Sequence, residues 1–106
     1  MRRPNCAWPV EGVMIQVQFY GLLRLLLKQE KLELPAVAGE RVGALLERVQ
    51  QQVETPFLHK LLDDDRQLHA GTIILVNRRN VLHLDKLETE IAAGDTIAFF
   101  PPGAGG

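Results

Sequence analysis

Serine is absent from this 106-residue chain, and cysteine occurs once, as Cys6. Without serine there is no serine nucleophile. With one cysteine there is no internal disulfide, which fits a reducing compartment, and the chain is expected in the cytoplasm. Neither sign of charge is in excess: 12 Lys and Arg stand against 13 Asp and Glu, a net charge of −1. No broad basic field exists to hold nucleic acid or an anionic membrane surface. Long apolar runs are missing too. The longest, residues 22–27, is interrupted by Arg24 and is far too short to cross a bilayer. His59, His69 and His83 are spaced like no zinc motif, and Cys6 cannot complete one. Asp63-Asp64-Asp65 has no glycine or glutamate where a calcium loop needs them, and it reads as a solvated loop. No Gly-rich phosphate loop precedes a helix. The expectation is a protein with no metal site, no bound cofactor and no self-sufficient active site.

What is present is an unusual end, Asp95-Thr96-Ile97-Ala98-Phe99-Phe100-Pro101-Pro102-Gly103-Ala104-Gly105-Gly106. Ile97 and Phe99 alternate with Thr96 and Ala98, the period-two pattern of a strand with one buried face. Pro101 and Pro102 then stop the ladder, because proline has no backbone N–H to donate. Four small residues follow. Glycine has no Cβ, so Gly105 and Gly106 can pass where a partner leaves room for backbone alone. The α-carboxylate has a pKa of about 3.3–3.7, so it is ionised and can attack an activated phosphate. Such a carboxylate is a substrate, and the machinery acting on it belongs to another protein. The bland reading is an ordinary frayed terminus.

The rest of the chain, 46% apolar overall, is enough for one domain with one core. Residues 1–13 carry Arg2, Arg3 and two prolines without any period, and no apolar stretch follows the arginines as a secretory signal requires. They read as a dispensable extension, and its Cys6 as incidental. Residues 14–20 form a first strand with Ile15, Val17 and Phe19 on one face, broken by Gly21. Residues 22–30 hold a helical turn or wide loop. Residues 31–34 form a second strand closed by Pro35. Residues 40–53 are the clearest helix: Val42, Leu45, Leu46, Val49 and Val53 make one stripe. Gly43 inside it suits close packing on the sheet. Thr55-Pro56 signals a short second helix. Residues 72–77 form a strand whose apolar run Ile73 to Val76 suggests cover on both faces. The tight link Asn77-Arg78-Arg79-Asn80 lets residues 81–84 pair back. Arg78 and Arg79 are either a contact for an acidic partner or a solvated hairpin tip. One long helix across a mixed sheet of about five strands is an α+β class.

The closing segment resembles the small subunit of molybdopterin synthase, in the MoaD/ThiS family of ubiquitin-like sulfur carriers, and the resemblance covers residues 14–106. Where that pattern usually has valine after the two prolines, Gly103 and Ala104 stand here. The resemblance implies a β-grasp fold, with the first and last strands side by side and parallel. It implies that an E1-like (MoeB-like) adenylyltransferase, using ATP and magnesium, adenylates Gly106. A sulfur donor then replaces AMP to give a thiocarboxylate. The tail of Gly103, Ala104, Gly105 and Gly106 threads into the large (MoaE-like) synthase subunit, where catalytic residues of the partner pass the sulfur to a pyranopterin precursor. Pro101 and Pro102 stiffen the base of the tail. Phe99 anchors the strand. Phe100, on the opposite face, is either a partner contact or buried at the edge of the chain's own core. Three other functions fit the same residues: a thiamine-pathway carrier, a protein modifier joined through Gly106 to lysines, and a binding module whose tail does no chemistry.

Overall fold

The computed structural model describes the backbone of residues 9–102 and the side chains of residues 14–102. The expected site residues Gly103, Ala104, Gly105 and Gly106 lie outside the described residues, as do Cys6 and Trp8. In chain order the elements are β1 (Pro9–Phe19), α1 (Leu22–Leu27), β2 (Lys31–Val37), α2 (Val42–Gln52), α3 (Leu58–Leu61), β3 (Ile73–Val76), β4 (Arg79–Asn80) and β5 (Thr96–Phe100), with 3-10 turns at Val81–His83 and Lys86–Glu88. The sheet order is β2-β1-β5-β3-β4. β1 and β5 run parallel, and the remaining pairs are antiparallel. This is the ubiquitin-like β-grasp: a mixed sheet of five strands with one main helix on one face.

The period-two pattern decides which face is covered. Val17 lies beside Ile97, and Phe19 beside Phe99; all four are fully buried. From the other side β3 sets Ile74 against Phe99 and Val76 against Ile97. α2 places Val42, Leu45, Leu46 and Val49 into the same core. Burying such side chains contributes roughly 1.5–3 kcal/mol each before the entropy of ordering is subtracted. Phe19, Phe57 and Phe99 meet pairwise at centroid distances of 6.4, 6.0 and 6.5 Å and fill the end of the core beneath the last strand. Phe99 is the anchor that the alternation predicts.

Several boundaries differ from the sequence reading, each for a physical reason. The first strand begins at Pro9, inside the segment read as an extension. Pro9 pairs with Val37, and a register shift between Pro9 and Met14 erases the period that would have revealed it. Pro35 lies within β2 and does not end it. β2 is the edge of the sheet, where a missing N–H breaks no ladder bond if it faces outward. β3 is covered on one face: Ile74 and Val76 are buried, whereas Ile73 is 39% exposed and Leu75 is half-buried. The return strand is Arg79–Asn80 alone. Asn77 and Arg78 both take positive φ, as a two-residue hairpin turn of this hand requires. Asn80 then accepts the N–H of Leu82 and curls the chain into a 3-10 turn. Gly43 lies 3.4 Å, measured from where a Cβ would sit, from the Leu87 carbonyl; its close packing is against the Lys86–Glu88 turn rather than the sheet. The short helix is capped not by Thr55 but from α2, since Gln50 Oε1 accepts the N–H groups of Phe57 and Leu58. Among the described residues no helix is long and apolar enough to cross a membrane.

Phe99→Ala opens a cavity against two aromatic rings and is expected to destabilise the fold by about 3–5 kcal/mol. Urea unfolding checks this, with a lower midpoint and an unchanged slope as the result expected.

Candidate functional site

The site is the place where β5 stops and the tail begins. The parallel ladder runs to its last bond, from the Tyr20 N–H to the Phe99 carbonyl at 3.1 Å. Beyond it Pro101 and Pro102 leave no N–H to extend pairing. Both prolines are held by glycines. A Cβ on Gly21 would stand 3.6 Å from Pro101 Cδ, and one on Gly71 would stand 3.3 Å from Pro102 Cβ. Gly21 has φ +59 and Gly71 φ +91, so both also adopt a backbone that glycine takes at least cost. The root of the tail is therefore seated between two turns, one leading into α1 and one leading into β3.

Beside the root the open face of the sheet carries a layered stack. The Tyr20 and Phe100 rings lie 4.5 Å apart and within 4° of parallel. The Arg24 guanidinium sits 5.2 Å from the Tyr20 centroid, while its Nε donates to the Phe19 carbonyl. The Tyr20 hydroxyl donates to Gln18, and the Gln18 amide donates to Gln16, so the outward side chains of β1 form one chain of bonds. Phe100 is half-buried. It is neither fully exposed nor part of the core: it rests on Tyr20 and has Ile73 of β3 as its cross-strand partner on the other side.

Phe100 and Arg78 line one groove of about 510 Å³ on this face, together with Tyr20, Leu75 and Ala98. Arg79 is exposed but not part of that groove. Neither arginine forms an ion pair among the described residues. The hairpin tip that bears them pairs with the start of β5, since Val76 is opposite Ile97, whereas Ile73 is opposite Phe100. Phe100, Pro101 and Pro102 are consecutive at the end of β5, and of the three Arg78 shares its groove with Phe100 alone. The Asp63 carboxylate accepts the N–H groups of Asp65 and Gln67 and closes a turn. Tyr20, Gly21 and Gly71 were not singled out as site residues. Tyr20 has the outward parity of β1, but its meeting with Phe100 depends on the register of a parallel pair eighty residues apart in sequence.

The model of the ThiS family matches residues 17–106. The chain belongs to the ThiS family. Ubiquitin-related modifier 1 of Schizosaccharomyces pombe is 30% identical over 88 residues, covering 80% of this chain and 91% of that protein. A putative sulfur carrier protein of Archaeoglobus fulgidus is 40% identical over 55 residues, which are 52% of this chain and 62% of that protein. Among solved structures, a putative molybdopterin converting factor subunit 1 from Pyrococcus furiosus is 26% identical with a TM-score of 0.64, covering 87% of this chain and 100% of that one. A chain of the Amycolatopsis orientalis BexX/CysO complex is 27% identical with a TM-score of 0.67, over 87% of this chain and 99% of that one. The family thus comprises ubiquitin-like sulfur carriers and modifiers, and members work with partner proteins.

Gly71→Ala puts a methyl group against Pro102 in a backbone region disfavoured by side chains, at an expected cost of about 1–2 kcal/mol. Carbon chemical shifts at Pro101 and Pro102 should move more than those of the core. Phe100→Ala removes one half of a stack on the open face. It should weaken partner binding more than it lowers the melting temperature; the opposite ranking assigns Phe100 to the fold alone.

Proposed function

We propose that this chain is the sulfur carrier of molybdenum cofactor biosynthesis, the small subunit of a molybdopterin synthase. The observation that carries the proposal is the seat of Pro101 and Pro102 between Gly21 and Gly71 at the end of a strand hydrogen-bonded on both sides. It fixes the origin of the tail, and the Gly-Gly end of the sequence gives that tail a shape that narrow sites admit. The Phe99-Phe100-Pro101-Pro102 run and the likeness to a putative molybdopterin converting factor subunit support this branch over a thiamine-pathway carrier.

On this reading the partner binds ATP and magnesium, and an oxygen of the Gly106 carboxylate attacks the α-phosphorus. Pyrophosphate leaves, and an acyl adenylate forms. Sulfide (HS−) released by a sulfur donor adds to the acyl carbon and expels AMP, which leaves the thiocarboxylate. The large subunit then takes the tail; the sulfur bonds to the pyranopterin precursor, water cleaves the acyl–sulfur bond to return the Gly106 carboxylate, and two such transfers build the dithiolene. This chain contributes position: Phe99 holds the strand in the core, the seated prolines lower the entropy lost on docking, and Gly105 and Gly106 admit the acyl carbon to each site in turn.

A second reading has its own support. The match to ubiquitin-related modifier 1 runs over 80% of the chain, which favours conjugation of Gly106 to lysines of other proteins. Intact mass separates the two. Incubated with an activating enzyme, ATP and a sulfur source, the carrier gains the mass of one oxygen-to-sulfur exchange, whereas the modifier appears as adducts with other proteins. Gly106→Ala, or deletion of Gly106, is expected to abolish thiocarboxylate formation with the melting temperature unchanged. Normal thiolation of either variant rules out the narrow-site argument.

A further inference from the structure

A second groove, of about 810 Å³, adjoins the tail root on the side away from the Tyr20–Phe100 stack. α1 supplies Leu22 and Leu25, α3 supplies His59 and Lys60, and Pro101 and Pro102 complete the wall. The leucines are unusual. α1 buries Leu23 and Leu27, while Leu22 is 55% and Leu25 72% exposed. A lone exposed leucine needs no explanation, but two that border a concave surface mark a contact site. His69 is fixed there too: its Nε2–H donates to the His59 carbonyl at 2.9 Å and braces the segment before Gly71 against α3. Among the described residues lining the groove, Lys60 alone carries a fixed charge, and no carboxylate opposes it.

Chain length limits how far from this surface a protein holding the Gly106 carboxylate can stand. Residues 103–106 separate Pro102 from the terminal carboxylate. Four extended residues span at most about 14 Å. An enzyme that grips the carboxylate in its active site therefore brings its own rim within that distance of Pro102, and Pro102 is a wall of this groove. We propose that the groove is the docking surface of the enzyme that activates the Gly106 carboxylate, which seats an apolar side chain between Leu22 and Leu25 and sets a carboxylate against Lys60. The proposal rests on the reading of Gly106 as the activated group. The open sheet face with Phe100 is a separate surface, with no lining residue in common.

The test uses the full chain and a purified E1-like adenylyltransferase, with ATP–pyrophosphate exchange as the readout. Leu25→Asp and Lys60→Glu alter exposed side chains, so the melting temperature should hold. Each is expected to raise KM for this chain about tenfold or more while kcat at saturation stays within about twofold, the signature of lost docking without lost chemistry. An unchanged KM in both variants overturns the groove. A fall confined to kcat overturns it as well, because it places these residues in tail threading. A response of Lys60→Glu alone, erased by added salt, also overturns it, since long-range attraction is screened and needs no apolar seat. If the unaltered chain supports no exchange at all, the sulfur-carrier reading fails first. Exchange by the unaltered chain and by both variants alike leaves that reading standing and removes the groove alone.

Discussion

The parallel pairing of β1 with β5 is the constraint on which the rest depends. It joins strands from the two ends of the described chain, with Gln16 opposite Thr96 and Phe19 opposite Phe99. Every feature of the site follows from that register. Phe19 and Phe99 meet on the covered face, so Tyr20 and Phe100, one residue on, must meet on the open one. Gly21, just beyond the end of β1, then lies against the Pro101 ring, and its φ of +59 is the conformation that favours glycine there. A slip of one residue would carry Phe100 into the core and Phe99 out of it. The burial of Val17, Ile97, Phe19 and Phe99 excludes that slip.

Placement of β5 between two other strands matters for the same reason. Its backbone bonds β1 on one side and β3 on the other, and its turn is held by side chains. Asn77 donates to Asp95 and accepts the Thr96 N–H, while Asp95 also accepts from Ala92. Both ends of the strand are thus tied before the prolines begin. The edge strand β2 shows the contrast, since it accommodates Pro35 in its middle. A tail hung from such an edge would have backbone bonds on one side only. Hung from a strand bonded on both sides, it has a fixed origin.

Much of this was legible in the residues, and the failures share one cause. Alternation located Ile15, Val17, Phe19, Ile97 and Phe99, and the stripe of Val42, Leu45, Leu46 and Val49 located the main helix, because those signals are local. The extended start of β1 was hidden by an irregularity whose partner is Val37. The cap on α3 comes from Gln50, in another helix. The continuous apolar run of β3 read as cover on both faces, yet β3 lies next to the two-residue β4 near the edge of the sheet, and its outward Leu75 lines the groove that Phe100 shares. Gly71 carried no signal at all, since its neighbour Pro102 is brought to it only by the completed sheet. Residues whose role is set by a distant partner are the ones that pattern reading misses.

The two surfaces beside the tail root bear on how one carboxylate serves more than one protein. On the sulfur-carrier reading it is visited first by an activating enzyme and then by an acceptor. Each must hold the same few tail residues in its own site, and each must approach to within about 14 Å of Pro102. Two proteins cannot both enclose a thread that short, so loading and unloading exclude each other in space whatever the affinities. Distinct docking surfaces do not relax that exclusion; they let the two affinities be set separately. Pro101 and Pro102 line the Leu22–Leu25 groove, and that groove has no lining residue in common with the Tyr20–Phe100 groove. On that reading, with one partner on each surface, substitution on one surface changes the residence time of its own partner and leaves the other's contacts in place.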